Sequence, residues 1–203
     1  MPQPLFERLP DAGLFHIALP RTLGGSELDD ESIVRVIEEL SRHDGAAAWN
    51  VMIASTIAAL AGWTPESPLA TMIYANNPHA VVAGGIRPIR ENIAVPTVGG
   101  YTLRGRWPLA SGCHQADWMV GVCFVTRDGT LGARDGETPE LRYFFWPRSE
   151  TSILDTWHTT GLRGTGSHDI AVSGLFVPDE HSVAVHASDW TSHAPPSTHS
   201  ANW

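Results

Sequence analysis

The residues best suited to contact a ligand stand at positions 109–112, where the pattern predicts a short turn. They follow an alternating stretch typical of a β-strand. Leu109 and Ala110 precede Ser111 and Gly112, so a hydroxyl stands among small residues that let the backbone approach a ligand closely. Ser111 is therefore the candidate ligand-contacting residue. The residues alone favour the plainer interpretation, a Ser-Gly turn that ends a strand.

Aromatic and titratable side chains flank this turn. Trp107 and Trp118 stand on either side of it, and either could line a pocket, although a Trp in a β region usually belongs to the core. His114 titrates near neutral pH and is a weak candidate for a catalytic proton donor, with a solvated loop histidine as the alternative. Nothing in the neighbouring sequence lowers the pKa of Cys113 identifiably.

A second glycine-rich segment, GLRGTGSHD, covers residues 161–169. It is not a dinucleotide fingerprint, because a strand rather than a helix follows it. Its backbone N–H groups, with Arg163 and Ser167, could form an anion-binding nest, and a tight turn with an exposed Arg163 is the alternative. Ser167, His168 and Asp169 are not a catalytic triad, since consecutive strand residues point to opposite faces.

Composition excludes several classes of function. The 203 residues carry 13 basic and 22 acidic side chains and a net charge of −9, which disfavours binding to nucleic acid or an anionic membrane. No lysine is present, so a Walker phosphate loop and a Schiff base are excluded. Four histidines near the C-terminus lack zinc-ligand spacing, and we predict no metal site: His181, His186, His193 and His199.

The N-terminus lacks the pattern of a signal peptide, and we expect a cytoplasmic protein. The most apolar stretch, residues 46–62, contains Asn50, Ser55 and Thr56 and is short for a membrane span. We therefore expect a buried core helix there and no membrane association.

The hydrophobic pattern changes from helical to β near Pro78. The pattern predicts a helical domain over residues 1–78, with Ile33, Val34, Ile37 and Leu40 on one buried helix face, and a helix restarting at Thr64-Pro65. It predicts an antiparallel β-barrel or sandwich domain over residues 79–185, with a hairpin near residues 127–137, and an irregular tail over 186–203. The fold class is α+β.

Three segments in this order resemble the acyl-CoA dehydrogenase superfamily: LPRTLGGSELDDESIVRVIEELSRHDGAAAW, GGYTLRGRWPLASGCHQADW and DTWHTTGLRGTGSHDIAVSGLFVPDE. The WxxASG and GLRGTGSxD forms are similar to its branch of two-component flavin-dependent monooxygenases. The resemblance implies a helical domain, a β-domain and a C-terminal four-helix bundle. Residues 187–203 contain no Leu, Ile, Val or Phe, so we expect a truncated member without the bundle.

The resemblance also implies site residues. Residues 109–112 match the strand end along the flavin ring, with Ser111 near flavin N5, and Trp107 is a possible pocket wall. Gly84 and Gly85 match the segment along the flavin pyrimidine edge. The anion-binding interpretation of residues 161–169 makes Arg163 and Ser167 further candidate contacts, to flavin phosphate or to substrate. The sequence is short around residues 87–92, which favours FMN or promiscuous reduced-flavin use. Trp49 could face the substrate, with core packing as the better-supported alternative.

These observations predict a flavin-dependent oxidoreductase, most specifically the oxygenase component of a two-component monooxygenase. It would use reduced FMN or FAD, a small aromatic or hydrophobic substrate and a separate flavin reductase, as a homo-oligomer. One alternative is an acyl-CoA dehydrogenase that oxidises a CH–CH bond. Another is an inactive fragment that self-associates. The apolar surface left exposed by a missing bundle would drive that association.

Overall fold

The computed structural model describes residues 3–62, 68–75, 77–126 and 140–185. Four helices come first: α1 (Gln3–Asp11), α2 (Asp30–His43), α3 (Gly45–Gly62) and α4 (Leu69–Tyr74). Eight strands follow: β1 (Val82–Gly85), β2 (Ile93–Thr97), β3 (Gly100–Ala110), β4 (Trp118–Val125), β5 (Leu141–Pro147), β6 (Ser152–Leu154), β7 (His168–Pro178) and β8 (Ser182–Ala184). This order confirms the predicted α+β fold class.

The domain boundary near residue 78 remains a proposal, although every described α-helix precedes it and every described strand follows it. Three expectations lie outside the described residues. They are the helix start at Thr64-Pro65, the hairpin at 127–137 and the irregular tail at 186–203.

The strands form one curled sheet in the order β6-β7-β3-β2-β4-β5-β8, and β1 also pairs with β4. Most pairs are antiparallel, but β4 pairs in parallel with β1 at one end and with β2 at the other. β3 and β5 are separated by two strands, yet the rings of Trp107 and Trp146 lie 5.4 Å apart. The sheet therefore folds back on itself around an internal core, as a barrel or sandwich does.

Both faces of the central strands are buried, which explains why they are apolar at nearly every position. On β4 and β5, Val120, Val122 and Phe145 pack with α3 and α4. The alternate residues point into the fold of the sheet: Met119, Cys123, Phe144 and Trp146. Side chains alternate between the two faces of a strand, so one apolar run supplies two cores.

Helix α2 packs through a face that differs from the predicted one at one position. Asp29 caps its first turn by accepting a hydrogen bond from the Ser32 N–H at 2.8 Å. Ile33, Val36, Ile37 and Leu40 pack against the core, while Val34 is 64% exposed. The prediction that Val34 belongs to the buried face was wrong, because the stripe runs through i, i+3, i+4 and i+7 from Ile33.

Helix α3 is long and apolar enough to cross a membrane by length and composition, and half of that stretch is buried inside the protein. Its buried face is mainly small, with Ala47, Ala54 and Ala58 among the inward residues. Small side chains let the helix approach the sheet closely, so the backbone of α3 runs near β1 and the turn after β3.

His16 ties the helical region to the start of the sheet. It is buried, and its Nε2 donates to the Ala80 carbonyl oxygen at 2.7 Å. Its ring meets the Tyr74 ring edge-on at 5.2 Å. Burial, together with the nearby His79, lowers the pKa of His16, although the Ala80 carbonyl partly opposes this. The folded protein therefore holds a neutral imidazole here.

The low pKa of His16 predicts a pH-dependent stability. Well above about pH 6.5 the imidazole is neutral in both states. As the pH falls through about 6.5, the unfolded chain binds a proton that the folded chain resists. Stability should fall as the pH drops from 7.5 to 5.5, measured as the urea midpoint. His16→Gln should reduce that fall, whereas His43→Gln, at an exposed position, should not. An equal fall in wild type and His16→Gln would contradict the assignment.

Candidate functional site

A β-bulge at the end of β3 positions the candidate turn. Between the pairs Trp107–Ile170 and Ala110–His168, two residues of β3 face one of β7. Pro108 lacks the N–H needed to continue the ladder. Leu109 takes a left-handed backbone conformation, with φ 61°, and its side chain is 61% exposed. The bulge redirects the chain so that Ser111 faces α3.

Ser111 connects three segments that are distant in sequence. Its Oγ accepts a hydrogen bond from Trp49 Nε1 on α3 at 3.0 Å. The same Oγ lies 2.7 Å from Ser167 Oγ, just before β7. The N–H of Gly112 donates to the Thr165 carbonyl oxygen at 2.9 Å. Ser111 as a whole is buried, with 6% of its surface exposed.

The segment over residues 161–169 is a compact turn. The N–H groups of Thr165, Gly166 and His168 donate to carbonyl oxygens inside the segment, and that of Asp169 donates to Thr156 Oγ1. Those four groups are not free for an anion, so the structure favours the tight-turn interpretation over a nest. Arg163 lies on this turn with an exposed side chain, as that alternative expected.

Ser167 lies behind Ser111. Its hydroxyl is 2.6 Å from Thr165 Oγ1, which donates to the Leu162 carbonyl oxygen at 2.9 Å. Thr165 and Ser167 are buried. The hydroxyl of Ser167 is thus enclosed between two other hydroxyls.

Trp49 is not a core residue, although core packing was the better-supported expectation. Its side chain is 41% exposed, and its indole N–H is held by Ser111. The next residue, Asn50, is buried, and its Nδ2 donates weakly to the Gly164 carbonyl oxygen at 3.5 Å. Asn50 Oδ1 accepts no hydrogen bond from the described residues, and it borders a cavity of about 10 Å³ beside Ser111 and Gly112.

Trp107 belongs to the core. It is fully buried, and its indole N–H donates to the Val122 carbonyl oxygen at 2.9 Å. Its side chain therefore cannot wall an open pocket in this fold. Trp118 packs at the border of the helix-facing core, where its ring meets that of His181 at 5.5 Å.

Gly84 and Gly85 are required by packing. A Cβ on Gly84 would lie 1.9 Å from the Val120 carbonyl oxygen, and the backbone there has φ 153°. A Cβ on Gly85 would lie 2.6 Å from the Cβ of Trp107. Both residues are buried in β1, so a cofactor role for them remains a proposal that needs their backbone alone.

His114 lies on the turn after Gly112, with its ring 5.0 Å from that of His168 and edge-on to it. Partial burial, the neighbouring His168 and the Arg148 guanidinium lower the pKa of His114. It is therefore a neutral hydrogen-bonding group near pH 7. Burial raises the pKa of Cys113 to about 11, so this thiol is inert at neutral pH.

Large apolar side chains are exposed near Ser111, alongside the polar His114 and Arg163. Trp49 and Leu109 are exposed beside Ser111, and Leu162, with φ 51°, is 47% exposed and lies near Gly45 at the start of α3. Among the described residues, no cluster of His, Cys, Asp or Glu could hold a metal ion. His186, His193 and His199 lie outside those residues. The site thus offers apolar surface with one recessed hydroxyl.

Sequence reasoning missed Thr165, Asn50 and Leu162. Thr165 stands in the GTGS motif, and its hydroxyl between two glycines is a signal that the sequence did contain. Asn50 is a polar residue in an apolar helix, which is a weaker signal of the same kind. No sequence signal marks Leu162, because its backbone conformation follows from the turn.

Comparison with known proteins agrees with this fold. The family described as acyl-CoA dehydrogenase, N-terminal domain, matches residues 1–65. Indole-3-acetate monooxygenase of Acinetobacter baumannii is 36% identical over 176 residues, covering 86% of this chain and 42% of that protein. The oxygenase component of FADH2-dependent resorcinol hydroxylase of Rhizobium sp. is 31% identical over 183 residues, covering 90% and 42%.

Among solved structures, XiaF from Streptomyces sp., in complex with FADH2 and glycerol, superposes with a TM-score of 0.81 at 26% identity. The match covers 91% of this chain and 44% of XiaF. In fold and in sequence the chain is similar to proteins of the acyl-CoA dehydrogenase superfamily, whose N-terminal domain matches residues 1–65. Within it, the chain is similar to oxygenase components of flavin-dependent monooxygenases, and it spans about 42% of the length of the relatives named here.

The packing of β1 predicts which glycines are structural. Gly84→Ala should lower the free energy of unfolding by more than about 2 kcal/mol, because it combines a backbone clash with a strained φ. Gly161→Ala should change it by less than about 0.5 kcal/mol, since its Cβ would meet nothing within 4 Å. Urea unfolding of both variants tests this. A stable Gly84→Ala protein would show that β1 packs differently.

The bond between Trp49 and Ser111 predicts a local change in hydrogen exchange. Ser111→Ala removes the acceptor, so the Trp49 indole N–H should exchange about three- to tenfold faster in NMR spectra. The Trp146 indole N–H donates to Thr151 Oγ1 and serves as the internal control. Trp49→Phe assigns the resonance. Unchanged exchange at Trp49 in Ser111→Ala would refute the contact.

Proposed function

We propose that this chain forms part of the oxygenase component of a two-component flavin-dependent monooxygenase that acts on an aromatic or other hydrophobic small molecule. One observation carries the proposal. The hydroxyl of Ser111 is fixed by Trp49 and Ser167 at the edge of an apolar surface formed by exposed Trp49, Leu109 and Leu162. A planar aromatic cofactor with one polar edge suits such a surface.

The donor and acceptor set fits a flavin ring. Ser111 Oγ has two lone pairs, and Trp49 Nε1 uses one of them. When the Ser111 hydroxyl donates to Ser167, the second lone pair is left for a ligand N–H. Leu109 supplies exposed apolar surface, and Gly112, with φ 77°, adds no side chain to the approach. Reduced flavin, when bound, would supply the electrons that activate O₂ and allow one oxygen atom to reach the substrate.

The residues of this chain would bind, orient and shield. Ser111 would accept a hydrogen bond from the edge of the ring, and the backbone at Leu109 and Ala110 would lie along it. Trp49 would exclude water from the face it covers, as oxygen transfer requires. His114 is proposed as a neutral hydrogen-bonding group near the substrate, which its lowered pKa supports.

The relatives support this proposal by their names. The Rhizobium protein is named an FADH2-dependent oxygenase component, and XiaF binds FADH2 in its solved structure. These names favour reduced FAD, whereas the short segment at residues 87–92 favours FMN. We therefore propose reduced FMN and reduced FAD as the two candidate cofactors. A separate flavin reductase, a homo-oligomeric assembly and a cytoplasmic location belong to the same proposal.

Ser111→Ala should weaken binding of reduced flavin about three- to tenfold, because one hydrogen bond is lost while the apolar contacts stay. Anaerobic fluorescence titration with reduced FMN and reduced FAD measures this. Ser173→Ala, an exposed serine on β7, is the matched control and should bind as wild type does. Equal affinity in wild type and Ser111→Ala would remove Ser111 from the site.

Turnover separates the proposed function from its alternatives. The chain is supplied with a flavin reductase, NADH, O₂ and a panel of aromatic substrates, and hydroxylated product is measured. Product that depends on O₂ supports the monooxygenase. Oxidation of acyl thioesters with an artificial electron acceptor would support an acyl-CoA dehydrogenase instead. Flavin binding without either reaction, or no binding at all, would support an inactive fragment.

A further inference from the structure

Four side chains at the site form one continuous chain of hydrogen bonds. Trp49 Nε1 lies 3.0 Å from Ser111 Oγ, which lies 2.7 Å from Ser167 Oγ. Ser167 Oγ lies 2.6 Å from Thr165 Oγ1, and Thr165 Oγ1 lies 2.9 Å from the Leu162 carbonyl oxygen. The three hydroxyl residues are buried, so the geometry of the chain is protected from solvent.

The two ends of this chain favour one direction. The Leu162 carbonyl oxygen also accepts from the Thr165 N–H at 3.1 Å and from Trp157 Nε1 at 3.2 Å, and the Thr165 hydroxyl, at 2.9 Å, is the shortest of these contacts. An indole N–H can only donate and a carbonyl oxygen can only accept, whereas each hydroxyl carries a single proton. If Thr165 donates to Leu162, then Ser167 must donate to Thr165 and Ser111 must donate to Ser167. This order satisfies four hydrogen bonds. The reverse order satisfies three, and it leaves the proton of Ser111 without a partner in the chain.

The favoured direction leaves Ser111 as an acceptor only. Its proton is committed to Ser167, one lone pair accepts from Trp49, and the second lone pair remains for a ligand. The side chain that sets this polarity is Thr165, which is 1% exposed and has no surface for a ligand. Thr165 acts through Ser167 on Ser111, as a positioning residue.

We propose that Thr165 makes the Ser111 hydroxyl an obligatory acceptor and so tunes the site to distinguish the redox states of its flavin. The inference rests on the proposed function. N5 of a reduced flavin carries a proton and donates, whereas N5 of an oxidised flavin can only accept. The resemblance to the family implies that Ser111 lies near N5. An acceptor there would favour the reduced form and would oppose the oxidised form by placing two lone pairs against each other.

Thr165→Val is the sharpest variant, because valine has nearly the same shape and lacks only the hydroxyl. Without Thr165 Oγ1, the two directions of the chain satisfy equal numbers of hydrogen bonds, so Ser111 becomes free to donate. The ratio of the Kd for oxidised flavin to that for reduced flavin should fall about three- to tenfold. Thr165→Ser keeps the hydroxyl and should keep the wild-type ratio.

The experiment measures both Kd values anaerobically for wild type, Thr165→Val and Thr165→Ser, with FMN and with FAD. A three- to tenfold lower ratio predicts a midpoint potential of bound flavin that is about 15–30 mV lower in Thr165→Val, which spectroelectrochemistry reads independently. Should Thr165→Val fail to fold, Ser167→Ala tests the same point, because it removes the acceptor of the Ser111 proton and should lower the ratio similarly.

The outcomes separate the two proposals. If wild type binds neither form of either flavin, the proposed function fails and this inference fails with it. If wild type binds flavin but Thr165→Val and Ser167→Ala keep its Kd ratio and potential, the flavin site stands and the role of Thr165 is overturned. A ratio that falls in Thr165→Val and is restored in Thr165→Ser supports the inference.

Discussion

The hydroxyl of Ser111 is the point where three distant segments of the chain are held together, and the site depends on it. Trp49 approaches from α3, Ser167 from the glycine-rich turn, and Ser111 itself lies at the end of β3. A buried hydroxyl stays in such a place only when its partners are satisfied. The hydrogen bonds of Ser111 therefore depend on three features of the fold. These are the bulge in β3, the register of β3 with β7 and the close approach of α3.

Small residues make that approach possible. Alanines on the buried face of α3 let the helix pack close to the sheet. Glycines on the strands leave room for the indole rings of Trp107 and Trp146. A Cβ on Gly121 would lie 2.6 Å from the Trp107 ring and 2.8 Å from the Trp146 ring. The core that supports the site therefore depends as much on glycine positions, which have no side chain, as on large side chains.

The fold could be predicted from the sequence because its pattern changes from a helical to a β period near residue 78. The bounds of β5 and β7 follow apolar runs that the sequence displays directly. The orientation of α3 could not be predicted, because an apolar sequence on every side of a helix does not say which side faces out. Trp49 was therefore open to two interpretations, and only the fold shows that it is 41% exposed and bonded to Ser111.

The candidate site was predictable only in part, for a similar reason. The resemblance singled out Ser111, but sequence cannot give the direction of a hydrogen-bond chain, which requires knowing where Leu162 and Trp49 lie. Trp107 and Gly84 stood beside Ser111 as candidates because aromatic and glycine residues are common both in sites and in cores. In the structure their side-chain positions belong to packing.

Backbone strain points to the same place as the hydrogen bonds. The described residues include three non-glycine residues with positive φ, and two of them, Leu109 and Leu162, lie at this site. Each such conformation costs about 1–3 kcal/mol, and both expose large apolar side chains rather than burying them. Stability alone does not account for that arrangement, since smaller or polar residues would serve an exposed turn better. A ligand that covers exposed apolar side chains at this site would account for it.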